Sequence, residues 1–354
     1  MSKIRFGIIG AGGIAAKSHL PEIAELKLQG RAEVTLLAGR KESRLRTLGE
    51  RFGVRRFTNR YEDVIADDQV DAVIIATPHT QHVSWAIAAL RAGKHVLIQK
   101  PLCDRLSEAD ELVAASEKSD RVVLAMPHYF TYVYDFRQRI AQGRIGKITG
   151  GRARSSHGGP DVYYREVAQI FGEPETDDLW FFDPRKASVG ALFDMGVYAV
   201  SQLIVLMGSV KRVTAVTATV DKPTTLEDTA TVVMQMHSGA IATAETSWCD
   251  PARTWEMNIH GSAGKLVMRE RGDEVFEYVP KSYDSDRAPI ERSVIHPGKG
   301  AGNIHEHFLD CVERGEQPVL SNVHAARHIT EVLLAGLESG RTGKPVDVHT
   351  HIDR

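Results

Sequence analysis

The sequence predicts an α/β protein: a doubly wound parallel sheet, followed by an α+β domain with a largely antiparallel sheet that has helix on one face. In the first third of the 354 residues, short apolar runs alternate with helical patterns, as in repeated strand–helix–strand units. After about Pro127 one long helical pattern and a series of strands follow, with little helix between the strands. We therefore expect two domains, residues 1–127 and 128–354.

Nearly continuous apolar runs predict the parallel strands, because strands buried on both faces lack polar alternation. These runs are Ile4–Ile9, Val34–Ala38, Ala72–Ala76, His95–Ile98 and Val122–Met126. The helical patterns between them are Gly13–Leu28, Glu42–Phe52, Gln81–Arg91 and Ser107–Lys118. Pro21 is expected to interrupt the first helix and to begin a second short one.

The second domain shows the period-two alternation of half-buried strands. Strands are predicted at Arg212–Val220, Thr229–His237, Ala240–Trp248, Trp255–His260, Lys265–Met268 and Val275–Val279. Helices are predicted at Ala191–Met207, Asn303–Arg314 and His324–Ser339, and a polar loop at Lys281–Gly302.

The composition argues against several classes of protein. The net charge of −2 gives no basic excess for binding nucleic acid or an anionic membrane surface. The three cysteines, Cys103, Cys249 and Cys311, form no CxxC pair, which disfavours disulfides and a structural zinc site. The chain lacks a signal-peptide pattern and any apolar run of about 18 residues, the length that a membrane span needs. We expect a cytoplasmic protein.

A glycine turn ends the first predicted strand. Residues 10–15 read Gly-Ala-Gly-Gly-Ile-Ala and fit the pattern G-x-G-x-x-A. Gly10 allows a tight turn, Gly12 lets the backbone approach a pyrophosphate, and Ala15 allows close packing of helix on strand. The turn opens a helix whose N–H groups attract phosphate, so it predicts a Rossmann dinucleotide site that includes Gly13 and Ile14.

The end of the second predicted strand bears on the choice of cofactor. NAD-binding domains usually carry Asp or Glu there, bonded to the ribose 2′-hydroxyl. Here the strand ends Leu-Ala-Gly-Arg-Lys, with no acid among these residues, and Glu33 lies at its other end. A small residue followed by Arg40 leaves room for a 2′-phosphate and pairs with it. This favours NADP, with NAD as the alternative.

Further segments carry a family resemblance. They are ATPHTQH at 76–82, AGKHVLIQKP at 92–101, RIGKI at 144–148, GALFDMGVY at 190–198 and SGRTGKP at 339–345. With the glycine turn they resemble the glucose-fructose oxidoreductase / inositol dehydrogenase / rhizopine-catabolism (Gfo/Idh/MocA) oxidoreductases over essentially the whole chain. The resemblance implies a Rossmann domain and an open-faced sheet domain, assembled as homodimers or homotetramers through the sheets.

The implied activity is hydride transfer between NAD(P) and a secondary alcohol or ketone of a sugar, polyol or cyclitol. Two alternatives remain open. The aromatic segment at 180–184 and Tyr198 suit a trans-dihydrodiol-type dehydrogenase acting on an apolar ring. Some relatives of this fold are non-catalytic NAD(P)-binding regulators, a role that the joint retention of Lys100, Asp194 and Tyr198 disfavours. The resemblance also places several residues in the cofactor site: Thr77, Pro78, His82, Gln99 and Lys100.

Two positions depart from the family pattern. Gln99 stands where the family usually has Glu before Lys-Pro, which puts contacts with the cofactor ribose in doubt. Tyr198 stands where many members have His.

Three residues are the candidates for catalysis. Asp194 and Tyr198 are four apart on a predicted helix and so project from one face. Lys100 follows the fourth strand, at a carboxyl end where open α/β sheets bind ligands. The resemblance implies that all three act on the substrate hydroxyl. In one hypothesis Tyr198 is the acid/base, tuned by Lys100 and oriented with the help of Asp194; in the rival one Lys100 carries the proton and Tyr198 positions the substrate.

Weaker candidates for substrate contact are His128, His157 and Trp180. The alternative interpretations are an interdomain connector for the two histidines and aromatic core for Trp180. The histidine pairs at 305–307 and 349–351 are poorly arranged for a metal ion, and we predict no metal site.

Overall fold

The computed structural model describes residues 3–176, 179–270, 274–282, 287–296 and 302–352. The chain forms two compact units, each of which is discontinuous in sequence. The first unit contains residues 1–128, 161–179 and 302–330, and the second contains 129–160, 180–301 and 331–354. The contiguous segments 1–127 and 128–354 predicted from the sequence do not coincide with these units, because two later segments pack with the first sheet. As a division into folding domains, that boundary stays a prediction.

The strands in chain order are β1 Ile4–Ile9, β2 Ala32–Ala38, β3 Phe57–Thr58, β4 Ala72–Ile75, β5 His95–Ile98, β6 Val123–Ala125, β7 Ile148–Ser156, β8 Val210–Ala218, β9 Thr229–Met236, β10 Ile241–Ser247, β11 Trp255–Gly261, β12 Gly264–Arg269, β13 Glu274–Pro280, β14 Ile290–Val294 and β15 Val346–Asp347. The α-helices are α1 Leu20–Leu28, α2 Glu42–Phe52, α3 Tyr61–Ala66, α4 His82–Arg91, α5 Leu106–Ser116, α6 Thr131–Ala141, α7 Pro160–Phe171, α8 Pro184–Ala187, α9 Val197–Met207, α10 Ile304–Arg314 and α11 Val323–Thr342. Two π-helical turns, Ala15–His19 and Leu192–Gly196, precede α1 and α9.

The first unit is built on a parallel sheet with strand order β3-β2-β1-β4-β5-β6, the doubly wound arrangement that the sequence predicts. Every residue of β4 is buried, as expected for a strand covered on both faces. The adjacent side chains Ile8 and Ile9 of β1 enter two different hydrophobic clusters. Ile8 packs with α1 and α10, whereas Ile9 packs with α4 and α5. The segment 302–330 contributes directly to this core, since the rings of Phe6 and Phe308 lie 5.8 Å apart.

The second unit holds a sheet with strand order β14-β13-β12-β11-β7-β10-β9-β8-β15, antiparallel except where β7 pairs with β10. Helix α9 is buried along almost its whole length, and α9 packs on β7, as the predicted helix-covered face requires. The opposite side of the sheet carries exposed apolar side chains, among them Val216, Val233 and Ile241. The sheet is therefore open-faced, as expected.

Several elements correct the sequence-based assignment. Strand β14 lies inside the predicted loop Lys281–Gly302, of which residues 283–286 and 297–301 lie outside the described part of the chain. Its side chains are almost all exposed, so it lacks the apolar alternation of the other strands. Helices α3, α6 and α7 were not predicted. Among the described residues, no helix is both long and apolar enough to cross a lipid bilayer.

Candidate active site

The glycine turn lies at the carboxyl ends of three neighbouring strands. Gly10 has φ +87°, and a Cβ there would lie 2.6 Å from backbone atoms of Ala76 and Thr77, so only glycine fits. The N–H groups of Gly10 and Ala11 both donate to the Ala38 carbonyl at 2.9 Å. Next to Gly12 the nearest atom to an added Cβ would be 3.8 Å away, which leaves an open cradle. The turn therefore fits the pyrophosphate of a dinucleotide.

Helix α7 packs against this turn within the first unit. A Cβ at Gly13 would lie 2.6 Å from the Val167 side chain and 2.9 Å from the Tyr163 hydroxyl, so this glycine is required by a neighbour. The Lys17 ammonium pairs with Glu166 and lies 4.8 Å from the centre of the Tyr163 ring. Helix α7 was not predicted, although it begins at Pro160, a residue favoured in the first turn of a helix that could have indicated it.

Charged residues surround the end of β2. Arg40 is exposed, as expected for a residue that would meet a 2′-phosphate. The Lys41 and Arg44 side chains both donate to Glu173, at 3.0 and 2.7 Å. The Arg44 guanidinium also lies 4.7 Å from the centre of the Phe171 ring. These cations lower the pKa of Glu173 to about 2, chiefly through the Arg44 hydrogen bond. Sequence reasoning missed Glu173.

The loops after β4 and β5 are tied together by His82. Its ring nitrogens lie 2.8 Å from the Thr77 and Pro101 carbonyl oxygens, and burial lowers its pKa to about 4. Both ring nitrogens thus face backbone carbonyl oxygens, and the contact of His82 with the cofactor stays a prediction. Pro78 precedes a short 3₁₀ turn in the same loop. The buried Thr77 hydroxyl has no hydrogen-bond partner among the described residues, and it lies beside the glycine turn.

A buried chain of polar side chains begins next to Lys100. The Lys100 N–H donates to Gln99 Oε1 at 3.2 Å, and Gln99 Nε2 lies 3.0 Å from His19 Nε2. His19 Nδ1 lies 2.9 Å from His305 Nε2, and His305 Nδ1 lies 2.8 Å from Glu22 Oε2. Burial holds the pKa of His19 well below its ordinary value. Gln99, which departs from the family pattern, thus contacts a ring nitrogen.

Asp194 and Tyr198 stand out in the second unit. Asp194 lies in the π-helical turn and Tyr198 in the first turn of α9, so the predicted helix Ala191–Met207 is not α-helical throughout. Between residues 191 and 200 these two side chains alone are partly exposed, and all the others are buried. Asp194 Oδ2 accepts from Trp248 Nε1 at 2.9 Å and lies 3.4 Å from His157 Nε2. π-Helical turns are common at functional sites.

Glu227 fixes the start of that π-helical turn. Its carboxylate accepts from the N–H groups of Gly190 and Leu192 at 3.1 Å, and its carbonyl accepts from Ala191 at 2.8 Å. A Cβ at Gly190 would lie 2.2 Å from the Glu227 carbonyl oxygen, so glycine is required there. Burial raises the pKa of Glu227. Sequence reasoning did not find Glu227.

Aromatic rings surround both residues. The Tyr198 ring lies 5.0 Å from the Trp255 ring, and Trp255 Nε1 donates to the Tyr132 hydroxyl at 3.3 Å. The Trp180 ring lies 4.1 Å from Phe181, whose ring is in turn 6.3 Å from Trp248. The predicted aromatic segment therefore lies near the indole that binds Asp194.

The two weaker histidine candidates lie in different units. His157 in the second unit approaches Asp194, and its Nδ1 accepts from the Gly159 N–H at 2.7 Å. His128 in the first unit lies 3.1 Å from the Gly302 carbonyl oxygen, and burial lowers its pKa to about 4. In the described part of the chain, no group of three or more His, Cys, Asp or Glu side chains is arranged to hold a metal ion.

A parallel sheet with a glycine cradle for a dinucleotide, joined to a mixed sheet that presents an acid and a phenol, defines a nucleotide-dependent oxidoreductase. Residues 4–126 match the family model described as "Oxidoreductase family, NAD-binding Rossmann fold", and residues 133–267 match the GFO/IDH/MocA C-terminal domain. The chain belongs to the GFO/IDH/MocA oxidoreductases, which confirms the resemblance seen in the sequence.

Similar proteins include several sugar and diol dehydrogenases. D-xylose 1-dehydrogenase (NADP(+)) 2 of Haloferax volcanii is 27% identical, over 97% of this chain and 99% of its own. Trans-1,2-dihydrobenzene-1,2-diol dehydrogenase of Bos taurus is 25% identical, over 91% of this chain and 92% of its own. The structure of levoglucosan dehydrogenase with NADH and levoglucosan has a TM-score of 0.80 and 23% identity, covering 98% of this chain and 99% of that one.

Proposed function

We propose that this protein transfers a hydride between NAD(P) and a secondary alcohol or ketone of a sugar, polyol or cyclitol. The observation that carries the proposal is that, between residues 191 and 200, Asp194 and Tyr198 alone are partly exposed, with Asp194 on the turn that Glu227 holds. Similarity to a xylose dehydrogenase supports the substrate class. The nicotinamide would accept or return the hydride, and protein side chains would handle the hydroxyl proton.

The cofactor would be held by the first unit. The glycine turn formed by Gly10, Gly12, Gly13, Ile14 and Ala15 would bind the pyrophosphate. Thr77, Pro78, Gln99 and Lys100 would line the nicotinamide side, with His82 holding the two loops in place. Arg40 favours NADP, in keeping with the cofactor named for the xylose enzyme.

We assign the acid/base role to Tyr198. The family resemblance implies that Lys100 acts on the same hydroxyl, and an ammonium there would stabilise the phenolate and so move proton transfer toward neutral pH. Lys100 belongs to the first unit and Tyr198 to the second, so their joint action on one hydroxyl rests on the family resemblance. Asp194 would orient the substrate or the phenol, since Trp248 fixes its carboxylate.

The test is Tyr198→Phe, assayed with NADP and NAD against a panel of sugars, polyols and cyclitols. Loss of the phenol proton should lower kcat by about a hundredfold or more, with nucleotide binding retained. Tyr278→Phe is the matched control, because it makes the same change on strand β13 and should leave kcat unchanged. If Tyr198→Phe keeps its activity while Lys100→Met loses it, the proton belongs to Lys100.

A second candidate is a dehydrogenase of trans-dihydrodiols. The rings of Trp255, Tyr132 and Trp180 offer apolar contacts suited to an unsaturated ring. Similarity to the bovine diol dehydrogenase also favours it. Turnover of a trans-dihydrodiol at a higher kcat/KM than any sugar in the panel would establish this alternative.

We also propose a homodimer or homotetramer formed through the open face of the sheet. The exposed Val216, Val233 and Ile241 support this, because isolated sheet faces with several apolar side chains commonly bury them in an interface. Light scattering of the purified protein at several concentrations measures the oligomeric state. The cytoplasmic location stays a prediction.

A further inference from the structure

The segment after β2 carries three cations within five residues: Arg40, Lys41 and Arg44. This is the place where dinucleotide-binding domains recognise the 2′ position of the adenosine ribose. In the sequence alone, Arg40 after a small residue, with no acid at the end of the strand, favours a 2′-phosphate. The segment also contains Glu42, which pairs with Arg46. The structure adds a second acid, from a segment distant in sequence.

Glu173 supplies that acid from the segment 161–179, which belongs to the first unit. Its two carboxylate oxygens accept from Arg44 Nε at 2.7 Å and from Lys41 Nζ at 3.0 Å. The side chains of Arg44 and Glu173 are each about 21% exposed, whereas that of Lys41 is 60% exposed. The carboxylate is thus partly shielded from solvent and offsets part of the charge of two of the three cations.

We infer that Glu173 sets the choice between NADP and NAD by occupying the cations that would otherwise bind the 2′-phosphate. A phosphate monoester carries about −1.5 to −2 charge at neutral pH, so a carboxylate on the same cations competes with it and repels it. A 2′-hydroxyl carries no charge and meets no such repulsion. Glu173 thus acts on the 2′-phosphate through charge alone, whereas an acid at the end of β2 bonds the 2′-hydroxyl. It opposes the preference for NADP that Arg40 gives. The inference rests on the proposed cofactor site.

The low pKa of Glu173, about 2, agrees with a carboxylate that stays ionised and paired throughout the neutral range. A purely structural role is the alternative, because the same ion pairs fasten residues 171–173 to α2 through Arg44 and the Phe171 ring. The two roles differ in what they do to ligands. A structural role alters all adenine nucleotides alike, whereas a selectivity role alters only those with a 2′-phosphate.

The experiment compares the purified wild type with Glu173→Gln by calorimetric titration of 2′,5′-ADP and 5′-AMP. These fragments differ only in the 2′-phosphate, and their binding needs no catalysis. Glu173→Gln should bind 2′,5′-ADP about tenfold more tightly, with 5′-AMP changed less than about twofold. The gain should shrink as salt rises, because these charges are partly exposed.

Glu175→Gln is the matched control. It removes the same charge two residues away, from a carboxylate that pairs with Arg165 at 3.1 Å and not with α2. Equal shifts for both fragments in Glu173→Gln, or the same gain in Glu175→Gln, would overturn the inference. No change in either fragment would overturn it as well. Failure of the wild type to bind either fragment would instead refute the cofactor site itself, and with it the proposed function.

Discussion

Exchanging Gln99 for Glu should make the stability of the protein depend on pH. The buried chain Gln99–His19–His305–Glu22 has three gaps between neighbouring side chains, and one proton bridges each gap. The Gln99 amide donates to His19, His19 donates to His305, and His305 donates to the Glu22 carboxylate. Two neutral imidazoles satisfy this pattern. A carboxylate at residue 99 cannot donate, so three gaps would then share two imidazole protons. One gap would place two acceptors about 3 Å apart unless the folded chain binds an additional proton.

The size of the effect follows from the proton count. Around pH 7 to 9 the folded variant would hold one proton that the unfolded chain lacks, so the pKa involved is raised by folding. The stabilisation is then fully present below the unfolded pKa and is lost as pH rises through the folded one, at about 1.4 kcal/mol per pH unit. Once the proton is lost, the unsatisfied gap should cost about 1–3 kcal/mol or more.

Urea unfolding followed by circular dichroism from pH 6 to 9 measures this difference from the wild type. The double variant Gln99→Glu with Glu22→Gln is the control, because an amide at residue 22 donates into the chain and reverses every hydrogen bond without an added proton. Its stability should follow the pH dependence of the wild type. A single variant whose loss of stability is the same at every pH, or a double variant as sensitive as the single one, would refute the proposed proton arrangement.

Two further predictions concern the first unit. Gly10→Ala should destabilise the fold by about 2 kcal/mol or more and abolish nucleotide binding, because its Cβ would lie 2.6 Å from backbone atoms at φ +87°. Gly30→Ala has a similar φ of +75° but open space around it, so urea unfolding should show a loss of only about 1 kcal/mol. His82 has a folded pKa of about 4, below its ordinary 6.5, so its contribution is present above pH 6.5 and is lost as pH falls toward 4. The loss should reach about 3 kcal/mol, and His82→Gln should show a shallower decline in unfolding free energy from pH 7 to 4.5; equal slopes would contradict it.

The elements that the sequence predicted well are those whose surroundings are simple. β1 was predicted at Ile4–Ile9 and is found there, because a strand covered on both faces needs only a continuous apolar run. The glycine turn was also predicted from the sequence, because Gly10 meets a local steric requirement. Asp194 and Tyr198 were found through the family resemblance, and the structure shows them partly exposed.

What escaped prediction depends on contacts between distant residues. Glu173, Glu227 and His305 act on side chains or amides that are remote in sequence, and no local period marks them. Helix α6 was missed because its tyrosines and its threonine are weak helix formers, and packing decides its conformation. The π-helical turn at Leu192–Gly196 was missed because a pattern with period 3.6 does not distinguish it from α-helix.

Residues 302–330 belong to the first unit although they follow most of the second unit in sequence, and this affects how the chain folds during its synthesis. Phe6 is fully buried, and the rings that cover it include His305 and Phe308. During synthesis on the ribosome the amino-terminal half therefore emerges with an apolar surface that cannot be covered until α10 has been translated, near the end of the 354 residues. The usual order, in which the amino-terminal domain finishes folding first, is unavailable to this chain, and a premature stop codon before α10 would damage the nucleotide-binding half.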